Sequence, residues 1–242
     1  MKNSQKNKGP LGQYLYKVLL HKIIEGELKA REQLPSERML SEEYGVHRGV
    51  VREALKRLEA QKLVETRRGG GTRILDFHET GGLDLLEAMA INSEGLPNFS
   101  TIKDIVEWRE DLGVTMTRRA TLRCGEVLAE RLDVVIKKMR DTEKEDLARL
   151  QELSLCYWYE IADATNNLAY RLALNSFKTV YDPFKIMLLP LMKSSLQDIQ
   201  KYQDVANEIR GGDGDKAGIL ARSLVNMDGE KVLNKMHKKV SR

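Results

Sequence analysis

The sequence predicts a mainly α-helical protein in two parts. The first part is a winged helix-turn-helix, in which three helices precede a small β-hairpin, and the second is an antiparallel all-α bundle. Three observations predict this architecture: short helical patterns separated by a Gly turn, two β-branched segments joined through three consecutive glycines, and helical periodicity with few β signals from Ser100 onward. A chain of 242 residues that is 41% hydrophobic is long enough to build both parts.

Three helices are predicted ahead of the hairpin. Pro35, in the loop after the first helix, stops any continuation of a helix. Ser36 is a favourable N-cap for the second helix, and Gly45 makes the turn before the third, which begins at or beside His47. A helix, a turn with Gly and a second helix form the helix-turn-helix layout. The residues expected to be buried on these helices are Leu15, Val18, Leu19, Ile23, Leu28, Leu40, Tyr44, Val51, Leu55 and Leu58.

Residues 63–67 and 72–75 alternate in polarity and are rich in β-branched side chains, so they are predicted to pair as two strands. The glycines between them supply the positive φ angles that a tight tip needs. A Gly-rich loop can also hold the phosphates of a nucleotide, but such loops open onto a helix, and this one opens onto a second strand. The segment is therefore predicted to be the wing of a winged helix.

Positive charge is concentrated in the first part of the chain. Residues 1–75 contain 16 Lys and Arg against 9 Asp and Glu, a net charge of +7, whereas the remainder contains 24 against 27, a net charge of −3. This asymmetry indicates a polyanionic partner for the first part, although a solvated surface of excess positive charge is an alternative explanation.

The helix arginines fit double-stranded DNA. The third helix of a winged helix enters the major groove with its N-terminal turn, where Arg48 and Arg52 can donate paired hydrogen bonds to guanine. Gly49 would let the backbone approach a base edge, and Arg38 can reach a base or a phosphate. Each arginine alone is also typical of a solvated surface, but their joint placement favours DNA. The predicted DNA-binding residues are Arg38, His47, Arg48, Gly49, Arg52, Arg67, Arg68 and Gly69.

The stretch from Leu34 to Ile74 resembles the GntR family of bacterial transcription regulators. It has a Leu-Pro-Ser-Glu-Arg opening, a Gly-Val-x-Arg turn, an Arg-Glu-Ala-Leu helix and a Gly-rich wing. The resemblance implies that the three arginines of the second and third helices contact bases or phosphates. His47 stands where Ser or Thr is more usual, and Gly49 replaces a small polar residue, so both departures bear on which operator is read.

Residues 76–90 resemble the linker of the FadR subfamily, in which a Phe-x-Glu-Thr-x-Gly-Leu stretch leads into a short linking helix. The resemblance implies that ligand-dependent movement reaches the DNA-binding part through this segment. The predicted organisation is a flexible tail at 1–10, the winged helix-turn-helix at 11–76, a linker helix region at 77–98 and an all-helical effector-binding and dimerisation domain at 99–242.

About six helices are predicted in the bundle. Ser100 is expected to cap the first helix and Gly125 to end it, and Pro190 is among the residues expected to separate later helices. Cys124 and Cys156 lie in helical patterns with no disulfide or metal spacing. They are therefore predicted to be buried free thiols of a reducing cytoplasm.

Many GntR relatives with this C-terminal arrangement hold a metal ion through one Asp and three His. Counting from the Ala-x-Ala-Thr-x-Asn and Ile-Arg-Gly-Gly-Asp segments places Ser154, Trp158, Tyr202 and Leu224 at those positions. These side chains do not form a usable ligand set for a divalent metal, and the four histidines of the chain are scattered. No metal and no other cofactor is therefore expected.

The resemblance implies that these positions, together with Tyr157 and Tyr181, line an apolar cavity: Trp158, Tyr202 and Leu224 would stand in place of the metal ligands. It also implies a role for Arg109, which aligns with an arginine that such domains commonly direct into the cavity and which could pair with an anionic group of a ligand. FadR-type members likewise lack the metal set and bind long-chain acyl-CoA thioesters, so the resemblance implies such an effector. A small organic acid is the alternative effector. The same aromatic residues would also fit an ordinary core, with Arg109 closing an internal ion pair.

Together these features predict a homodimeric transcription regulator, either repressor or activator, that binds an inverted-repeat operator under the control of a small-molecule effector. An enzyme is not expected, because no Ser/His/Asp set, Cys-His pair or pair of carboxylates stands out. A non-specific architectural DNA-binding protein is the alternative of another class, although the moderate charge of the first part argues against it. The polar start and the lack of a long apolar run predict a cytoplasmic protein without a membrane segment.

Overall fold

The computed structural model describes residues 11–226, and the expected tail at 1–10 and the final predicted helix at 230–240 lie outside them. The chain divides into two compact units between Asn98 and Phe99. The fold is mainly α-helical with one small antiparallel sheet in the described part, as predicted. Within residues 11–226, no helix has both the length and the apolar character needed to cross a bilayer.

Within residues 11–98, the first unit contains five helices and the two-stranded hairpin. Its elements are α1 (Leu11–Ile24), α2 (Glu37–Tyr44), α3 (Arg48–Ala60), β1 (Val64–Arg67), β2 (Gly71–Ile74), α4 (Phe77–Thr80) and α5 (Leu85–Met89). Ser36 caps α2 by accepting a hydrogen bond from the backbone N–H of Met39 at 3.3 Å. Gly45 ends α2 with a φ of 62°, in the left-handed region that a residue with a side chain rarely adopts. These local signals set the turn that leads into α3.

The core of the first unit lies between α1, α3 and the hairpin. Leu15, Val51 and Leu58 have no exposed surface, and Val64 and Ile74 from the two strands are 1% exposed. The hydrophobic face of α3 is thereby directed inward, which leaves the opposite, charged face in solvent. Among the residues predicted to be buried, three are only partly so: Val18, Leu28 and Tyr44.

The hairpin has a third, irregular neighbour that the sequence patterns did not reveal. Arg31 donates its backbone N–H to the carbonyl of Ile74, and Leu34 donates to the carbonyl of Thr72, each at 2.8 Å. Gln33 forms an isolated antiparallel bridge with Arg73. The loop before α2 therefore extends the hairpin and ties it to the helix-turn-helix.

The segment after β2 forms two short helices, α4 and α5, because Gly81 and Gly82 interrupt the helical run. The helix α5 follows the Phe-x-Glu-Thr-x-Gly-Leu stretch, where a short linking helix was expected. Leu85 in α5 is 3% exposed and belongs to the hydrophobic core of the first unit. This segment is therefore packed as part of the first unit up to at least residue 89.

The second unit is all helical in its described part. Its elements are α6 (Phe99–Arg140), α7 (Leu147–Ala164), α8 (Leu168–Tyr181), a short 3₁₀ helix (Asp182–Phe184), α9 (Lys185–Gln197), α10 (Ile199–Arg210) and a helix at 214–226. The long helix α6 packs along both α7 and α10, which makes it the centre of the bundle.

The first bundle helix is interrupted close to its predicted end. Two helical segments within α6 meet at a kink at Cys124 (φ −147°, ψ 28°), one residue before Gly125, and the second segment runs on to Arg140. Ser100 is the second residue of α6 and not its cap, so that prediction was wrong. A β-carbon at Gly125 would lie 2.7 Å from the carbonyl oxygen of Ile209, so the glycine also allows close packing against α10.

Two further expectations need correction. Pro190 lies inside α9 and does not separate two helices, since the inward row Leu188, Met192 and Leu196 continues across it. The cysteines are exposed and not buried. Cys156 lies on the outer face of α7, opposite buried residues such as Tyr157 and Ile161, and Cys124 lies at the kink.

Candidate functional site

The N-terminal tip of α3 presents an open surface. Arg48 is the first residue of the helix and is exposed, and no hydrogen bond or ion pair holds its guanidinium within residues 11–226. His47 precedes it as an N-cap with extended backbone, and its exposed side chain makes no capping hydrogen bond. A β-carbon at Gly49 would meet no atom within 4 Å. The tip thus combines an unpaired cation with backbone that another molecule can approach closely.

The other two helix arginines are exposed and paired with glutamates. Arg52 donates from Nε to Oε2 of Glu37 at 2.8 Å, and Arg38 donates from Nη1 to Oε1 of Glu42 at 2.9 Å. The arginine side chains remain 65% and 64% exposed. Such surface pairs contribute about 0–1 kcal/mol to stability, so each guanidinium can exchange its glutamate for another acceptor at little expense.

The wing is held by two polar contacts near its tip. Gln33, in the loop before α2, donates from Nε2 to the carbonyl of Gly70 at 2.7 Å, and the backbone N–H of Thr66 donates to Oε1 of Glu59 on α3 at 2.9 Å. Both contacts restrain the tip, one relative to the loop before α2 and the other relative to α3.

The wing tip itself is exposed. Gly69 has a φ of 75°, which allows the tight reversal between the strands. Arg67 pairs with Glu65 at 2.9 Å, and Arg68 stands exposed beside it. The tip therefore offers positive charge on a short loop, as a contact to the phosphate backbone requires.

Lys56 was not among the DNA-binding residues predicted from the sequence. This exposed residue lies four positions after Arg52 and eight after Arg48, so the three cations form one row along the outer face of α3. The spacing of four was visible in the sequence and could have revealed the row. The roles of Gln33 and Glu37 had no such signal, because their partners are 37 and 15 positions away.

Family profiles match both units of this chain. Residues 11–74 match the profile described as bacterial regulatory proteins, gntR family, and residues 104–227 match that of the FCD domain. The chain belongs to the GntR family. It is a transcription regulator with a C-terminal effector-binding FCD domain and not an enzyme, as the sequence predicted.

Several curated proteins are similar to this regulator along most of its length. It is 34% identical over 205 residues to the HTH-type transcriptional regulator Mce2R of Mycobacterium tuberculosis, which covers 85% of this chain and 84% of the relative. It is 31% identical over 175 residues to the fatty acid metabolism regulator protein of Shewanella sp. strain MR-4, covering 72% and 69%. A solved structure of a Streptococcus agalactiae GntR protein aligns over 91% of this chain and 99% of its own, with 21% identity and a TM-score of 0.48.

Two of the predicted effector residues lie in a packed aromatic cluster in the FCD domain. The ring of Tyr157 meets those of Trp158 and Tyr202 edge to face, with centroid distances of 6.1 and 5.1 Å. Tyr157 donates its hydroxyl to the backbone carbonyl of Tyr202, and Tyr202 donates its own to Oγ of Ser154, both at 2.9 Å. Burial raises the pKa of Tyr157 well above its ordinary value, so this hydroxyl remains a neutral donor.

Arg109 and Tyr181 belong to a second cluster. The Arg109 guanidinium lies 5.3 Å from the centre of the Phe177 ring, and Phe177 stacks on Tyr181 at 6.3 Å. The Tyr181 hydroxyl is 3.6 Å from Sδ of Met192. This arrangement brings a cation and two aromatic rings of α6 and α8 together.

Leu224, the fifth predicted effector residue, is 4% exposed on the helix at 214–226. Its neighbour Val225 packs near Gly113 of α6, which also lies close to the Trp158 ring. Two of the four positions where some relatives carry metal ligands are occupied by Ser154 and Tyr202, and these side chains form a hydrogen bond with each other. Within the part of the chain that the structure describes, no group of three His, Cys, Asp or Glu could hold a metal ion.

Proposed function

We propose that this regulator reads an inverted-repeat operator as a homodimer and that a ligand in the FCD domain controls its affinity. Residues 11–76 would bind DNA, 77–98 would link the two parts, and 99–242 would bind the effector and dimerise. The proposed DNA contacts are Arg38, His47, Arg48, Gly49, Arg52, Arg67, Arg68 and Gly69. A protein with this task would act in the cytoplasm, where the chromosome is accessible.

The observation that carries the DNA-binding proposal is the unpaired, exposed guanidinium of Arg48 at the N-terminal tip of α3. The tip of the second helix of a helix-turn-helix enters the major groove. An arginine there can donate two hydrogen bonds to O6 and N7 of guanine, which discriminates against the wrong base by about 1–3 kcal/mol. The wing arginines are suited to phosphates, which fix the register of the protein on the duplex without reading sequence.

A binding experiment separates these roles. The operator would first be recovered by selecting a randomised duplex library with the wild-type protein. We expect Arg48→Ala to lose discrimination at one base pair, and Arg68→Ala to weaken binding to all sequences and to reduce the salt slope by roughly 0.9. Arg149→Ala, which removes an exposed arginine of α7, is the control for charge alone.

Equal, sequence-independent losses in Arg48→Ala and Arg68→Ala would contradict specific reading. That result would instead support the non-specific architectural alternative. Sedimentation of the protein with the selected duplex would test the homodimer, since an inverted repeat should bind two chains.

The proposed effector is a long-chain acyl-CoA thioester. The support is the similarity to the fatty acid metabolism regulator protein of Shewanella together with the Arg109 cluster, where a cation lies beside aromatic surface. A guanidinium suits a carboxylate or a CoA phosphate, and the apolar residues Trp158, Tyr202 and Leu224 suit an alkyl chain. A small organic acid would use the same cation and is the alternative effector.

A thermal-shift series with acyl-CoAs and with dicarboxylates distinguishes the two. A ligand present at 100 times its dissociation constant stabilises the folded protein by about 2.7 kcal/mol. We expect acyl-CoA to stabilise the wild type and to release it from the selected operator, and Arg109→Ala to lose both effects while Arg149→Ala keeps them. Stabilisation by dicarboxylates alone would favour the small acid, and no response to either class would contradict both.

A further inference from the structure

We propose that Glu37 is a positioning residue for DNA reading, because its carboxylate orients Arg52 so that the terminal edge of the guanidinium meets the base. This inference rests on the proposed function of α3 as the recognition helix. The contact is between two helices: Glu37 is the first residue of α2 and Arg52 lies in the second turn of α3. Glu37 of α2 therefore orients a side chain of the proposed recognition helix α3.

The nitrogen through which Arg52 binds Glu37 determines which of its N–H donors remain available for a base. A guanidinium has one N–H at Nε and two at each terminal nitrogen, and a carboxylate can bind either the side that includes Nε or the outer end. Glu37 takes the Nε–H of Arg52 at 2.8 Å. Within residues 11–226 no hydrogen bond engages the outer end, formed by Nη1 and Nη2, and the side chain is 65% exposed, so this end keeps both donors that a bidentate contact to guanine needs.

The backbone that carries Glu37 is ordered at the start of α2. Ser36 caps this helix at the preceding position, and the Glu37 side chain is 36% exposed, against 65% for Arg52. An acceptor on an ordered helix end restricts the long Arg52 side chain to fewer conformations, so less entropy is lost when the base contact forms.

The second pair, between Arg38 and Glu42, has a different geometry and provides an internal comparison. Arg38 uses the terminal Nη1 for Glu42, so this glutamate occupies part of the outer end of its guanidinium. Glu42 must therefore be released before Arg38 can make a bidentate contact through that end. The two glutamates have opposite expected effects: Glu37 supports reading by Arg52, and Glu42 competes with reading by Arg38.

The test compares Glu37→Ala with Glu37→Gln, which change the net charge equally. The amide oxygen of Gln can still accept the Nε–H of Arg52, whereas Ala cannot. Affinities would be measured for the duplex selected by the wild type, for its single-base variants and for a random duplex. Arg52→Ala first identifies the base pair that Arg52 reads, as the one at which its discrimination falls by about 5- to 150-fold.

We expect Glu37→Ala to lose at least about 5-fold discrimination at that base pair, the lower end for one bidentate contact, and Glu37→Gln to stay near the wild type. Both variants should bind random duplex more tightly, because each removes one negative charge near the phosphates. Glu42→Ala should not reduce discrimination. In an Arg52→Ala background the difference between the two Glu37 variants should disappear, and the thermal unfolding midpoints of the two variants should agree.

Equal discrimination by Glu37→Ala and Glu37→Gln would overturn the positioning role while leaving sequence-specific binding by the wild type intact. A difference that persists without Arg52 would overturn it as well, because Glu37 would then act through another group. Failure of the proposed function looks different: the wild type itself would select no sequence from the library.

Discussion

Replacing Tyr157 decides whether the aromatic cluster of the FCD domain is solid core or the wall of a cavity. The side chain has no exposed surface, and its ring lies between those of Trp158 and Tyr202. Tyr157→Phe removes one buried hydrogen bond, the one to the Tyr202 carbonyl, and should lower the free energy of unfolding by about 1 kcal/mol. Tyr157→Ala also removes the ring and should lower it by about 3–5 kcal/mol, the range for aromatic residues in a packed interior.

Urea titration followed by tryptophan fluorescence measures these changes in the relevant unit. Both tryptophans of the chain, Trp108 and Trp158, lie in the second unit, so the signal reports on the FCD domain alone. Ser154→Ala is the matched control, because it removes the acceptor of the other cluster hydrogen bond without removing a ring. We expect it to lower the free energy of unfolding by about 1 kcal/mol.

The losses of unfolding free energy in Tyr157→Ala and Tyr157→Phe, compared with each other, distinguish a packed core from the wall of a cavity. A loss for Tyr157→Ala close to that for Tyr157→Phe would mean that the ring gains little from its neighbours. That result would refute the packed cluster and favour an open cavity at this place. A large difference between the two variants would direct the search for the effector toward Arg109 and Tyr181.

Three other predictions concern single positions. Burial lowers the pKa of His21 below its ordinary 6.5, so protonation of this side chain favours the unfolded chain. The free energy of unfolding, followed by circular dichroism, should therefore fall as the pH drops from about 6.5 through the pKa of the folded state. His21→Gln should remove that part of the pH dependence, and an unchanged slope in this variant would contradict the prediction. Gly125→Ala should lower the free energy of unfolding of the FCD domain by roughly 1–3 kcal/mol in the fluorescence assay, since its β-carbon would meet the Ile209 carbonyl, and a neutral result would show that α6 and α10 separate easily. Gly49→Ala has open space and should raise stability by up to about 1 kcal/mol while weakening operator binding; unaltered binding would rule out a close backbone approach there.

The helix-turn-helix was predictable because its signals are local. Ser36 acts on a backbone N–H three residues away, and Gly45 determines its own φ, so each can be recognised without knowing the rest of the fold. The interruption of α6 shows what local signals predict and what they miss. A glycine late in a helical pattern is typical of a helix end, and the helix is broken at Cys124, next to Gly125. The close approach of Gly125 to Ile209, which lies 84 positions away in the sequence, has no local signal.

The predicted effector residues were harder to assign to one site, because their contacts also join residues that are far apart in the sequence. The resemblance to relatives placed Arg109, Trp158, Tyr181 and Tyr202 in one predicted cavity, although aromatic side chains at helical spacing also fit an ordinary core. The structure distributes them between one cluster of α7 and α10 and another of α6 and α8. Helical spacing shows which face of a helix is buried but not which helix packs against it.

The charges on the DNA-binding unit also bear on how the regulator would find its operator. Arg38, Arg52 and Arg67 each have a glutamate partner, whereas Arg48 and Arg68 have no ion pair within residues 11–226. A paired arginine that moves to a phosphate must give up its glutamate, so it gains less from neutralising DNA than an unpaired one. Binding to random DNA is governed by that electrostatic gain, and base reading additionally uses hydrogen-bond geometry. Pairing the arginines with glutamates is thus expected to lower the affinity for all DNA without an equal loss of discrimination, which favours a protein that must leave the many wrong sites quickly.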